Sequence, residues 1–131
     1  MRKSTIVETS VGRTKVINVT GATVGATATT YASGDLIGTK ITLTDACLEV
    51  GSEATLVSIT AADLDKQNQP CDVVIFNADP SSTTFSNDSA LDVDDSDLPK
   101  ICGSASVIAT DYADFADSVV ATKTNIGLVC E

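Results

Sequence analysis

Histidine and tryptophan are missing from this 131-residue chain, and its aromatic residues amount to two Tyr and three Phe. Imidazole is the side chain that titrates near neutral pH, and it serves most nucleophile–base pairs and many zinc sites. Its absence removes those arrangements. The serines have no histidine base, and neither a G-x-S-x-G nor an S-x-x-K pattern occurs. The run GATVG at residues 21–25 is not followed by Lys-Ser or Lys-Thr, so it is no phosphate loop. Paired carboxylates alone could serve a glycosidase, but no aromatic platform for a sugar is evident. The expectation is a protein that is not an enzyme.

Positive charge is scarce too. Eight Lys and Arg face eighteen Asp and Glu, a formal charge of −10. Binding to a nucleic-acid backbone or an anionic membrane needs the opposite balance, so neither is an expected partner. No run approaches the roughly 20 apolar residues of a membrane span. Residues 4–14 are polar and contain no apolar signal core, so synthesis in the cytoplasm is expected.

What is present is β-type sequence. Short runs of Thr, Val, Ile and Ala are broken by turn residues every 8–12 positions, the pattern of an all-β sandwich or barrel. KVINVT (residues 15–20) and residues 23–30 read as strands. KITLT (40–44) alternates with Ile41 and Leu43 inward, and a bulge near Asp45-Ala46 would shift the phase. Residues 54–59 are a further strand. Thr60 with Asp63 matches a capping box and predicts a helical turn over 61–66. DVVIFN (72–77) reads as a central strand covered on both faces. Residues 81–97 form a long polar connection. Asp97-Leu98-Pro99 predicts a short helical turn, with Pro at its first position. Residues 101–109 are a strand with Ala105, Val107 and Ala109 on one side. DYADFAD (111–117) predicts one or two helical turns capped by Asp111, and residues 118–122 and 124–130 close the chain as strands. Two regions result: an extended N-terminal arm over 1–14 and one β-sandwich domain over 15–131.

Cys47, Cys71, Cys102 and Cys130 are all more than twenty residues apart, so no zinc-knuckle spacing exists. Each adjoins apolar residues or proline. They read as small buried hydrophobes, with one or two disulfides in an oxidising medium as the alternative and the connectivity open. The densest charged cluster is Asp88, Asp92, Asp94, Asp95 and Asp97. Asp92-x-Asp94 begins like an EF-hand loop, but Ser96 and Asp97 occupy positions where that pattern wants a ligand and then Gly. No cofactor is expected. The weaker alternative is calcium on Asp92, Asp94, Asp95 and Asp97.

From Tyr31 onward the order of segments resembles the capsid decoration, or cement, proteins of tailed bacteriophages. The matching segments are YASGDLIG (31–38), KITLT (40–44), VSITAADLDKQ (57–67), DVVIFNADPSSTTFSNDSAL (72–91), DDSDLPKICG (94–103), DYADFADSVVAT (111–122) and NIGL (125–128). The resemblance implies a β-sandwich of jelly-roll type. It also implies a place on the outer capsid surface of the virion as a homo-oligomer, a dimer or trimer, clamping neighbouring major capsid protein subunits. It carries no catalytic residues. For contact with the capsid, the expected residues are those of the arm and its boundary: Arg2, Lys3, Ile6, Val7, Val11, Arg13 and Lys15. A rival reading is a calcium-assisted module for carbohydrate or host surfaces, in a phage head or tail fibre, with residues 81–97 carrying the binding.

Overall fold

The structure, a computed structural model, describes residues 30–44, 46, 47 and 51–130. The arm residues Arg2, Lys3, Ile6, Val7, Val11 and Arg13, together with Lys15, the strand expected at 15–20 and all but Thr30 of the one expected at 23–30, lie outside the described residues.

The described chain is all-β. Seven strands follow one another: β1 (Ala54–Leu56), β2 (Ile59–Asp63), β3 (Cys71–Phe76), β4 (Ile101–Val107), β5 (Tyr112–Phe115), β6 (Ser118–Lys123) and β7 (Leu128–Cys130). Short 3-10 turns at Leu98–Lys100 and Ala109–Asp111 precede β4 and β5. The strands pair as β1-β7, β2-β6-β5 and β3-β4, always antiparallel. No helix among the described residues is long and apolar enough to cross a membrane.

The buried apolar residues among those described are Ala105 and Val107 on β4, and Val119 and Ala121 on β6. Alternation explains this: successive strand side chains point to opposite faces, so Ser104 and Ser106 turn outward while their neighbours turn in. These side chains are small, so β4 and β6 can approach closely. β4 also packs against β7. Along β3–β4 the partner of Ile75 is Gly103 and that of Phe76 is Ile101, which leaves Cys102 as the extra residue of a β-bulge. Gly103 follows at φ 156°, and a Cβ there would stand 2.7 Å from Leu128 Cδ1. Glycine at this position lets β7 lie against the bulge.

Several expectations are corrected. Residues 61–66 form no helical turn. Ile59–Asp63 pairs with β6, and the Asp63 carboxylate instead accepts the N–H groups of Asp65 (3.0 Å), Gln67 (2.8 Å) and Asn68 (3.0 Å), folding the following loop on itself. Residues 112–117 are likewise not helical, because Tyr112–Phe115 is taken up by β6. Asp111 does act at a turn, accepting the Ile108 N–H at 3.0 Å, but it ends that turn and does not begin one. Residues 40–44 are not in a strand, and Ile41 and Leu43 are exposed. Ala109 is exposed within the 3-10 turn and does not extend β4. β3 occurs where expected, but among the described residues it pairs on one side only, with β4.

Candidate functional site

The polar connection before β4 is ordered by its own side chains. Asp97 sits at the start of the Leu98–Lys100 turn and is fully buried. Its Oδ2 accepts the Ser82 N–H (2.9 Å), the Thr83 N–H (2.7 Å) and the Thr83 Oγ1 hydroxyl (2.8 Å). Its Oδ1 accepts from Lys100 Nζ at 2.7 Å. Lys100 lies three residues on, placed there by the proline-containing turn, and also donates to the Asp79 carbonyl at 2.7 Å. Lys100 and then the Thr83 donors hold the Asp97 carboxyl down to about 2, although burial pushes the other way. Thr83 Oγ1 in turn accepts the Asp94 N–H at 3.1 Å. Asp94 is occupied as well: Ser96 donates to it from both backbone and hydroxyl, which lowers its pKa.

Residues 31–40 are laid along the other end of this connection. Asp35 and Ala90 form an antiparallel bridge. Leu36 N–H donates to Ser89 O (2.9 Å), Asp88 N–H to Leu36 O (3.0 Å), and Leu91 N–H to Gly34 O (3.1 Å). The Asn87 side-chain oxygen accepts from the Tyr31 hydroxyl (2.9 Å) and the Gly38 N–H (2.7 Å). Lys40 pairs with Asp79 and stands 5.7 Å above the Phe85 ring, which meets Phe76 edge-on with centroids 6.2 Å apart. Thus YASGDLIG and the run that ends in SNDSAL, far apart in sequence, are one physical unit.

Between these ties lies a cavity of about 310 Å³. Ser82, Thr84, Ser86, Ser89, Ala90, Asp92 and Asp94 line it. Hydroxyls and carboxylates can hydrogen-bond a polyhydroxylated ligand. The alternative calcium set, Asp92, Asp94, Asp95 and Asp97, is not brought together: Asp97 faces its protein donors, Asp94 holds Ser96, and no group of three or more Cys, Asp or Glu is placed for a metal among the described residues.

The remaining lysines are committed in the same manner. Lys66 bonds Asp114 (2.8 Å) and the Ala116 carbonyl (2.7 Å), while Lys123 bonds Asp111 (3.0 Å). Every Lys or Arg among the described residues therefore has an Asp partner. The chain's other basic residues are Arg2, Lys3, Arg13 and Lys15. Sequence reasoning missed Thr83, Asn87 and Lys100. Only Lys100 left a trace, in its spacing from Asp97 across Leu98-Pro99.

Large apolar side chains are exposed on other elements as well. Phe115 on β5 is 62% exposed, Leu64 77%, Val57 63% and Val129 on β7 46%. Comparison of the chain with family models, curated proteins and solved structures finds no match.

Proposed function

We propose that this chain is a structural virion protein that binds the outer surface of a phage capsid and stabilises contacts between major capsid subunits. The observation that carries the reading is the exposure of Phe115 and Val129 on β5 and β7, strands that pair on one side only among the described residues. An open edge with apolar side chains is a surface for adding a partner's strand or covering a partner's face. The sheets are taken as the two layers of a jelly-roll-like sandwich, with β4 and β6 meeting at the core. The protein acts as an oligomer by adhesion and catalyses no reaction. Many weak contacts on a symmetric shell add up, so each copy needs little affinity.

The arm is the proposed anchor. Arg2, Lys3 and Arg13, with Lys15 at its boundary, give it a cluster of positive charge that a capsid surface with acidic patches would draw. Heads prepared without this chain and then supplied with it should sediment with it at a fixed ratio to the major capsid protein and resist heat better. Deleting residues 1–14 should lower occupancy about tenfold or more. Full occupancy by the deletion variant would refute the anchor, and failure of the whole chain to sediment with heads would refute the capsid reading.

The cavity at residues 82–94 favours a second reading, a carbohydrate- or host-surface-binding module. Binding to a glycan array, lost on Asp92→Ala, is its expected result. An array with no signal removes it.

A further inference from the structure

The cysteines are the reactive groups that the capsid reading leaves unused. Cys102 is the extra residue of the β3–β4 bulge, and Cys130 is near the end of β7, paired in register with Ala54 of β1. β4 and β7 belong to different sheets but pack together, with Gly103 lying against Leu128. The bulge matters for direction. An extra residue re-aims the side chains around it, and here the Cys102 and Cys130 thiols are neighbours. Both residues are partly exposed, so a small oxidant can reach them. Cys71, by contrast, has the Tyr112 hydroxyl beside its thiol.

We propose that Cys102 and Cys130 are a disulfide-forming pair, which closes when the protein passes from a reducing to an oxidising medium and then clasps the β3-β4 sheet to the β1-β7 sheet. The oxidant is a low-molecular-weight disulfide. One cysteine thiolate attacks it, forming a mixed disulfide and releasing one small thiol. The second cysteine thiolate displaces the other small thiol and forms the Cys102–Cys130 bond. Two protons and two electrons leave the protein, and the small disulfide is reduced to two thiols.

Burial first, and then the hydrogen bond to Cys102, push the Cys130 thiol up to about 11. Cys130 is therefore a protonated thiol at neutral pH, and closure, which removes two electrons, requires the oxidant. The inference stands whether or not the chain binds capsids.

The test uses the full, folded chain treated with oxidised glutathione at mildly alkaline pH. The expected product has lost two hydrogens, yields a peptide linking Cys102 to Cys130, and melts about 10 °C higher until a reductant is added. The double variant C47S/C71S should give the same linked peptide. C102S and C130S should each end as single glutathione adducts or unmodified thiols, with no rise in melting temperature. Recovery of Cys102 and Cys130 as separately alkylated residues in the wild-type chain would overturn the proposal. So would a bond from either to Cys47 or Cys71, or a linked product that melts no higher.

Discussion

Asp97→Ala is expected to lower the melting temperature by about 10 °C and to open residues 81–97 to proteolysis. The carboxylate is the shared acceptor for Ser82 N–H, Thr83 N–H, the Thr83 hydroxyl and Lys100. Thr83 is itself buried, so its donors have little water to turn to once the acid is gone. The Lys100 ammonium, shielded from solvent over most of its side chain, would keep only the Asp79 carbonyl among these partners. Asp97→Asn preserves shape but presents N–H groups to donors, and should fall between wild type and Ala. A melting curve unchanged by Asp97→Ala would show that the connection is held by other contacts.

The same residue gives a pH signature. Its carboxyl is held down to about 2 by Lys100 and Thr83. A group whose pKa falls on folding stabilises fully above its unfolded value, about 4 for Asp, and that stability is lost as pH falls through the folded value. Acid unfolding of the wild-type chain should therefore steepen between about pH 4 and 2. The Ala variant should lack that component while keeping the parts due to Asp94, Asp111 and Asp114, whose carboxyls are also held low by hydrogen bonds.

The second large effect is expected at Ala121. It is fully buried on β6, the middle strand of its sheet, with Ala61 of β2 and Tyr112 of β5 as register partners. Its side chain has no exposed surface, so three added carbons press on packed neighbours or the facing strand. Ala121→Leu should cost about 3 kcal/mol in denaturant unfolding. Ala113 provides the control: it is an exposed alanine on the neighbouring strand, paired with Val120. Leucine there should change stability by about 0.5 kcal/mol or less. Equal effects at both positions would mean that the core does not lie where β6 places it.

The contrast between strands and turns shows what the sequence could reveal. β3, β4 and β6 were legible because apolar periodicity reports burial directly, and the turn at Leu98–Lys100 was legible because proline fixes its start. The misread segments, 61–66 and 111–117, share one ambiguity. Asp three residues from Thr or Asp marks a helix cap, yet the same carboxylate can close a loop beside a strand. Asp63 and Asp111 do the latter, because β6 offers a ladder to both flanking strands. Local spacing cannot weigh that distant offer. The inward turn of Asp97 was hidden for a related reason. Within a run of acids, nothing local marks the one whose donors arrive from fourteen and fifteen residues upstream. Asn87 was invisible altogether, since its role depends on Tyr31 and Gly38 arriving from the far end of the described chain.

The internal commitment of Lys40, Lys66, Lys100 and Lys123 has an effect beyond the single molecule. With those charges neutralised at home, what each body shows its neighbours is surplus carboxylate. Like bodies set side by side repel over about one Debye length, roughly 10 Å at 0.1 M salt. A dense array of them would keep its own even spacing at low ionic strength and tighten as salt is added.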